Sequence, residues 1–249
     1  MAVTREHLRH ELVRRTLHVL RAAAVTPRIV RVTLGGPELE GFTAPGPADH
    51  VKVFFPAGES RDYTPAAFRP ANSEHEAELD LDFVLHGDEG PASAWAARVA
   101  VGDELVVAGP RGSHLAPAGI ARLVIVADET AFPATGRWFD AAGDELPIDV
   151  LVWPTDAGPE EYFGERIPAQ ASITPCAAGE LMTALRALEP FDDSTFFFLA
   201  GEAETLVPLR RYLRRELGLP AEQVQASGYW RYGAAGLDHH APLDPSDPD

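Results

Sequence analysis

The first half of the chain alternates apolar and polar residues in short runs. Residues 79–85 show this most clearly, with leucine or phenylalanine at every odd position and aspartate, aspartate and valine between them. Comparable runs, each followed by glycine or proline, occupy 16–25, 29–34, 51–55 and 104–108. Short strands at this spacing predict an antiparallel barrel or sandwich. One helical stretch, from Ala92 to about Val99, interrupts the predicted strands.

The pattern changes after Pro117. Residues 123–127 form a continuous apolar run, as expected of a strand buried on both faces, and two further buried strands are predicted at 148–153 and 195–200. Helical periodicity separates them, at 131–141, 181–188 and 206–217, and a last strand is predicted at 224–232. Strands alternating with helices predict a parallel sheet covered by helices. We therefore expect a β domain at 14–118, an α/β domain at 119–237 and a disordered, Pro- and Asp-rich tail at 238–249.

Charge and composition narrow the class of protein. The chain has 249 residues, 45% of them hydrophobic, which is enough for two modest domains. Its formal charge of −17 argues against nucleic acid or an anionic membrane as a partner. No apolar run approaches the ~20 residues of a membrane span, and residues 1–15 lack an apolar signal core. With the single cysteine, Cys176, these features predict a cytoplasmic protein without an internal disulfide.

The stretch Arg61-Asp62-Tyr63-Thr64 is the first candidate site. In an acidic protein, an anionic cofactor must be held by a few placed cations, and a guanidinium can grip a phosphate bidentately. Tyr63 offers a flat face for a ring and Thr64 a hydroxyl. These groups can hold a phosphate and cover a ring, and in combination with a small-residue turn further along the chain they suggest a flavin dinucleotide lying against a β-barrel. The alternative is an ordinary strand end with an exposed arginine.

A second candidate follows downstream. Gly90 and Pro91 predict a turn, after which Ala92 and Ser93 begin a helix whose first N–H groups suit an anion. The alternative is that Ser93 only caps the helix and that Trp95 belongs to the core.

His86, next to Gly87, is open to two interpretations: it hydrogen-bonds a cofactor phosphate or ribose, or it is a structural histidine. Gly109–Ser113 predicts a tight turn that connects the two halves of the chain.

The order and spacing of eight short segments carry a resemblance to a known family. They are Arg61-x-Tyr63-Thr64, His86-Gly87, Gly90-Pro91-Ala92-Ser93-x-Trp95, Gly102-Asp103, Gly109-Pro110-Arg111-Gly112-Ser113, Asp128-Glu129-Thr130-Ala131-x-Pro133-Ala134, Gly201-Glu202-Ala203 and Gly228-Tyr229-Trp230-Arg231-x-Gly233. Over residues 14–236 the chain resembles the siderophore-interacting proteins. These are flavin-dependent ferric-siderophore reductases of the ferredoxin-reductase-like superfamily.

The resemblance implies an N-terminal antiparallel FAD-binding β-barrel followed by a Rossmann-like, parallel-sheet NAD(P)H domain. It assigns the flavin and its phosphates to one set of residues, namely Arg61, Tyr63, Thr64, His86, Gly87, Pro91, Ala92, Ser93 and Trp95. In the second half it implies that Thr130 lies at the flavin's reactive edge as the catalytic residue. Gly201 and Glu202 would border the nicotinamide nucleotide, and Trp230 would cover the flavin.

Two departures affect the second half. Ala127 stands where the family has glycine, and the Pro-rich segment 153–178 does not follow the family pattern. The electron donor is therefore left open between NADPH or NADH and ferredoxin.

The bulky, anionic ferric-siderophore needs cations, for which Lys52, the only lysine, and Arg231 are the candidates. The iron is held by its chelator, so we expect no metal ligands from the protein.

The function implied is a cytoplasmic, monomeric reductase that passes electrons from NAD(P)H through FAD to siderophore-bound Fe(III) and releases Fe(II). Three alternatives remain: a general flavin reductase or electron-transfer partner, a ferredoxin-dependent siderophore reductase, and a non-catalytic siderophore-binding module.

Four arginines, at 210, 211, 214 and 215, also have two interpretations. They form a solvated helix face that complements the helix dipole, or they bind the 2′-phosphate of NADPH.

Overall fold

The computed structural model describes residues 3–85, 90–154, 158–234 and 241–248. The chain forms two compact units. One comprises His7–Leu115 with Gly136–Trp138, and the other comprises the remaining described residues. Within the described residues, no helix is long and apolar enough to cross a membrane.

The first unit is an antiparallel β structure. Its elements are β1 (His7–Arg9), β2 (Arg14–Thr26), β3 (Ile29–Gly35), β4 (Val51–Phe54), β5 (Ser60–Tyr63), β6 (Pro65–Arg69), β7 (Glu78–Val84), α1 (Pro91–Ala96), β8 (Glu104–Ala108) and β9 (Gly112–His114). Seven strands form one curled sheet in the order β5-β4-β8-β2-β3-β7-β6, and β1 pairs with β9. The predicted helix is shorter than expected, ending at Ala96 rather than near Val99.

The alternating positions of β7 separate a core face from a polar face. Leu79, Leu81 and Phe83 are fully buried in the core of this unit. On the polar face, Asp80 is also buried, at 4% exposure, because the guanidinium group of Arg69 and the hydroxyl of Thr33 donate to it at 2.8 and 2.7 Å. The polar residues of this strand are therefore paired with neighbouring strands and not simply solvated.

Ion pairs extend from Asp80 to the next carboxylate on the same face. Glu78 accepts bonds from Arg21 at 2.6 and 2.7 Å and from Arg69 at 2.9 Å. The hydrogen bonds from Arg21, together with those from Arg69, lower the pKa of Glu78 to about 2. This ion-pair layer links strands β2, β7 and β6.

The second unit contains a parallel sheet. Its elements are β10 (Arg122–Ala127), α2 (Phe132–Ala142), β11 (Ile148–Val152), α3 (Pro159–Phe163), β12 (Ala171–Pro175), α4 (Leu181–Ala187), β13 (Thr195–Glu202), α5 (Ala203–Arg211), which continues in a π-helical turn (Tyr212–Glu216), and β14 (Val224–Trp230). The strand order is β12-β11-β10-β13-β14. Residues 123–127 of the central strand are fully buried, as the continuous apolar run predicts.

The divergent segment 153–178 keeps the architecture of the sheet. It contributes α3 and β12, and Ala171–Pro175 pairs in parallel with β11 at the sheet edge. The departure from the family pattern therefore changes the residues of this edge strand without removing it.

Boundaries of the last helix and the last strand also differ from those predicted. α5 begins at Ala203, three residues before the predicted start, because the side chain of Glu202 accepts a hydrogen bond from the Thr205 backbone N–H at 2.7 Å and caps the helix. The last strand ends at Trp230 rather than at 232.

The structure also differs from the predicted disorder over residues 241–248. These residues contact the basic end of α5, where the Arg211 Nε atom lies 2.5 Å from Asp244 Oδ2 and Arg215 Nε lies 2.9 Å from Asp247. Asp244 is 4% exposed. The arginines supply cations for an acidic segment whose composition alone predicts no fixed structure.

Candidate functional site

The hairpin of β4 and β5 carries the first predicted site. Val53 is opposite Arg61 and Val51 is opposite Tyr63, whereas Lys52 is opposite Asp62. Residues paired directly across strands share a face of the sheet, and consecutive residues alternate between faces. Arg61 and Tyr63 therefore lie on the face of the core valines, and Lys52 lies on the opposite face. The structure thus separates the predicted substrate-binding lysine from the predicted flavin-binding pair.

The Tyr63 ring is held by other aromatic rings. Its centroid is 4.5 Å from that of Phe83 and 6.3 Å from that of Phe55. Burial raises the pKa of the phenol, so Tyr63 is neutral over the physiological range. The following Thr64 is also buried, at 7% exposure. This part of the sheet gives a fixed aromatic surface with a hydroxyl at its end.

Arg61 has a partly exposed guanidinium group, with 30% of the side chain accessible. It donates to the Ser60 carbonyl at 2.8 Å and to Glu59 Oε2 at 3.0 Å. These contacts orient the planar, permanently charged guanidinium group, which is the kind of group that binds phosphate bidentately.

α1 contains the second predicted site. It begins at Pro91 after Gly90, whose φ of +124° lies in the region that favours glycine. The first bond within the helix runs from the Ala94 N–H to the Gly90 carbonyl at 3.0 Å, so the N–H groups of the first turn precede it. Ser93 is 5% exposed, and the Trp95 ring packs 5.3 Å from Phe83. The packing of Trp95 agrees with the core alternative. The predicted sites His86 and Gly87 lie outside the described residues.

In the second unit, a buried carboxylate joins three strands at their carboxyl ends. Asp128 directly follows β10 and is 2% exposed. Its Oδ1 atom accepts bonds from the backbone N–H and the hydroxyl of Thr130, at 2.9 and 2.5 Å. Its Oδ2 atom accepts bonds from the Glu202 N–H and the Trp230 indole N–H, both at 2.8 Å. Burial raises the pKa of Asp128, and the four donated hydrogen bonds oppose that shift.

This carboxylate brings together the predicted residues Thr130, Glu202 and Trp230. Gly201 also lies against it, since a Cβ atom at that position would be 2.5 Å from Asp128 Oδ2. Asp128 was noted in the sequence only as part of a motif, and no role was predicted for it. A signal was available, because a carboxylate directly after a fully apolar strand falls at the carboxyl end of a parallel sheet.

The sheet order identifies this position as the topological switch point. β11 and β12 extend from β10 on one side, whereas β13 and β14 lie on the other. In open α/β sheets, ligands bind outside the carboxyl ends of the strands where the order reverses. Both Asp128, directly after β10, and Gly201, on β13, lie at that point.

Arg231 follows β14 at the same edge of the sheet. Its Nε atom is 3.2 Å from Glu204 Oε1, and about a third of its side chain is exposed, at 33%. The next residue, Tyr232, is 87% exposed, and its N–H lies 3.3 Å from Glu202 Oε1. A cation and an aromatic ring therefore border the carboxyl end of β14.

An antiparallel curled sheet together with a parallel five-stranded sheet defines a protein of the ferredoxin-reductase-like class, with an FAD-binding and a nucleotide-binding part. Sequence comparison then gives the family. Residues 18–61 and 58–114 match the siderophore-interacting FAD-binding domain, and residues 120–233 match the siderophore-interacting protein family. The chain belongs to the siderophore-interacting protein family.

Individual relatives agree with this membership. The NADPH-dependent ferric-chelate reductase of Escherichia coli (strain K12) is 30% identical over 90% of this chain and 96% of its own. The ferric vibriobactin reductase ViuB of Vibrio cholerae is 28% identical over 91% and 92%. Among solved structures, a siderophore utilization protein from T. fusca matches with a TM-score of 0.80 and 31% identity, over 96% of this chain and all (100%) of the other.

A more distant structure supports the fold alone. The ferredoxin reductase in carbazole 1,9a-dioxygenase has a TM-score of 0.68 at 14% identity and covers 88% of this chain and 68% of its own. The expected two-part fold, with its FAD-binding domain, is thus confirmed.

The residues of the first unit suit FAD. An oriented guanidinium, a neutral aromatic face, a buried hydroxyl and the first turn of a short helix offer cationic, stacking and N–H groups. A dinucleotide with an anionic pyrophosphate and a planar ring system needs these kinds of group.

Proposed function

We propose that the protein is a flavin-dependent ferric-siderophore reductase that passes electrons from NAD(P)H to siderophore-bound Fe(III) and releases Fe(II). The observation that carries the proposal is the pairing of an FAD-binding domain with an α/β unit whose switch point is built around Asp128. Relatives named as ferric-chelate and ferric vibriobactin reductases support the choice of acceptor.

The residues of the first unit have binding and orienting roles in this proposal. Arg61 binds a flavin phosphate, Tyr63 presents its ring to the isoalloxazine, and Thr64 supplies a hydroxyl. The first turn of α1, at Ala92 and Ser93, receives the pyrophosphate. The bound flavin supplies the conversion of a two-electron donor to one-electron transfer.

The residues of the second unit hold the pyridine nucleotide. We assign Gly201 and Glu202 to its border and Trp230 to the ring that covers the flavin. We assign Thr130 a place beside the reacting groups. NADPH is the preferred donor in the proposal, because the E. coli relative is named for it.

Lys52 and Arg231 are the proposed cations for the anionic siderophore. Each is already ion-paired, Lys52 with Asp62 at 2.9 Å and Arg231 with Glu204 at 3.2 Å. A siderophore carboxylate or catecholate would therefore replace a protein carboxylate. Both pairs are partly exposed, so this exchange has a small cost. We place the activity in the cytoplasm, because its proposed electron donor is a pyridine nucleotide.

The decisive experiment is the visible spectrum of the purified protein with FAD, recorded anaerobically before and after NADPH, and again after a ferric-siderophore with a ferrous chelator present. Bleaching by NADPH followed by reoxidation and Fe(II) release supports the proposal. If the flavin stays oxidised with NADPH but bleaches with reduced ferredoxin, the electron donor is ferredoxin and not NADPH. Faster transfer to free flavin than to the siderophore would favour a general flavin reductase, and absence of bound flavin would overturn the proposal.

A further inference from the structure

The turn after β10 is unlike a phosphate-binding turn. In a dinucleotide-binding α/β unit, the turn after the first strand is rich in glycine and lets the pyrophosphate reach a helix N-terminus. Here residues 128–131 read Asp-Glu-Thr-Ala, with no glycine and two carboxylates. The Asp128 side chain caps this turn by accepting from the Thr130 N–H. A phosphate at this position would lie near the negative charge of the carboxylates, and the Thr130 N–H is already hydrogen-bonded to Asp128.

The hydrogen bonds donated to Asp128 favour its ionised form. Four donors converge on its two oxygens, and three of them are N–H groups that cannot accept a hydrogen bond. An ionised carboxylate offers about four lone-pair sites, so all are filled here. Protonation would place a hydrogen between an oxygen and one of these donors.

This arrangement determines the direction of the Thr130 hydroxyl. A hydroxyl has one proton and two lone pairs, and Thr130 gives its proton to Asp128 Oδ1 at 2.5 Å. Thr130 is only half-buried, whereas Asp128 is covered. Towards a ligand, the Thr130 oxygen is therefore an acceptor only.

We propose that Asp128 is a positioning residue that holds the Thr130 hydroxyl as an acceptor for the carboxamide amino group of the nicotinamide nucleotide. The inference rests on the proposed use of a pyridine nucleotide. Phosphate oxygens are acceptors at neutral pH and do not complement such a hydroxyl. The carboxamide amino group is a donor at the reacting end of the nucleotide, and the switch point is where that ligand binds in this class of sheet.

The test compares two nucleotides that differ only in this donor. Full-length protein with oxidised FAD is titrated calorimetrically with NADP⁺ and with its 3-acetylpyridine analogue, which keeps the carbonyl but has a methyl in place of the amino group. We expect NADP⁺ to bind about three- to tenfold more tightly, the worth of one neutral hydrogen bond. Thr130→Val keeps the side-chain shape and should bring the ratio of the two Kd values close to one.

Thr135→Val is the matched control. Its hydroxyl donates to the Ala131 carbonyl at 3.0 Å and is fully buried, so its loss should leave the ratio unchanged. If the unmutated protein binds both nucleotides equally, or if Thr130→Val keeps the full ratio, the inference is wrong while the proposed donor stands. If neither nucleotide binds, the proposed pyridine-nucleotide donor fails, and the inference falls with it.

Asp128→Asn tests the positioning role itself. In Asp128→Asn, the NH₂ group on the Oδ2 side would meet two fixed donors, the Glu202 and Trp230 N–H groups. On the Oδ1 side it would meet one fixed donor, the Thr130 backbone N–H, and a hydroxyl that can rotate. We therefore expect the NH₂ group on the Thr130 side. The hydroxyl would then accept from Asn and turn its proton outwards. We expect the preference for NADP⁺ to disappear or to invert in favour of the acetyl analogue. A purely structural role predicts weaker binding of both nucleotides at an unchanged ratio, and that result would overturn the proposal.

Discussion

Gly201 and Asp128 approach each other too closely for any side chain at position 201. A Cβ atom built on Gly201 would lie 2.5 Å from Asp128 Oδ2 and 2.6 Å from its Cγ. The φ angle of Gly201 is +143°, which other residues rarely adopt. The close approach lets the N–H of the next residue, Glu202, reach the carboxylate at 2.8 Å. Position 201 is therefore constrained by both space and backbone conformation.

Gly201→Ala should destabilise the protein and disturb the switch point. We expect the free energy of unfolding to fall by about 1–3 kcal/mol, because the new methyl strains the backbone and displaces a hydrogen-bonded carboxylate. Urea denaturation measures this change. Gly179→Ala is the matched control, since Gly179 has no atom within 4 Å of its Cβ position and no positive φ. Equal stability of the two variants would contradict the constraint.

Arg61→Ala should weaken FAD binding by roughly ten- to a hundredfold, because a charge-assisted hydrogen bond to phosphate contributes about 1.5–3 kcal/mol. Titration of the apoprotein with FAD, followed by flavin fluorescence, gives the Kd. Arg9→Ala removes an exposed arginine from β1 of the same unit and serves as the control. If both variants bind FAD as tightly as the unmutated protein, Arg61 does not hold the phosphate.

Most of the strands that the hydrophobic pattern predicted are interior ones, and β14 is a predicted strand that lies at a sheet edge. β10 and β13 are apolar and buried on both faces, whereas β3 and β7 direct apolar residues to the core and pair their polar residues on the other face. The strands β5, β6 and β12 were not predicted, and all three lie at sheet edges. An edge strand has a neighbour on one side only, and every residue of β5 is half-buried. Burial of such a strand therefore does not require a strong alternation of apolar and polar residues in its sequence.

The sequence allowed several residues of the candidate site to be predicted, but not the contacts between them. Thr130, Glu202 and Trp230 were each assigned a role from the family resemblance. Their common partner is Asp128, 74 residues before Glu202 and 102 before Trp230. No local pattern encodes a contact over such separations. The choice of Lys52 as a substrate cation shows the same limit, since only the β4–β5 register reveals that Lys52 faces away from Tyr63.

Lys52→Ala should raise the KM for an anionic ferric-siderophore about three- to tenfold at low salt while flavin content stays the same. Asp62→Asn is the informative partner variant, because it removes the carboxylate that holds Lys52 at 2.9 Å. It should lower KM, and both effects should shrink at high salt as the charges are screened. Steady-state kinetics that do not change in either variant would remove Lys52 from the substrate site.

The ion-pair layer should make stability depend on acid pH. Hydrogen bonds from Arg21, with those from Arg69, lower the pKa of Glu78 from 4.5 to about 2 in the folded protein. A lowered pKa stabilises the fold above the unfolded value, so this contribution is complete above about pH 5 and is lost as the pH falls towards 2. The difference in unfolding free energy between the protein and Glu78→Gln should shrink across that window. Glu40→Gln, at an exposed site, is the matched control.

Arg211→Ala should leave the preference for NADPH over NADH unchanged. A helix that follows a parallel strand runs back along the sheet, and Arg211 lies roughly 13 Å beyond Glu202 at ~1.5 Å per residue. It is therefore directed towards the amino ends of the strands, whereas the nucleotide binds at the carboxyl ends. Its guanidinium is also paired with Asp244 and Ser246. The ratio of kcat/KM for the two nucleotides measures the preference, and a collapse of that ratio in Arg211→Ala would return this arginine to the 2′-phosphate site.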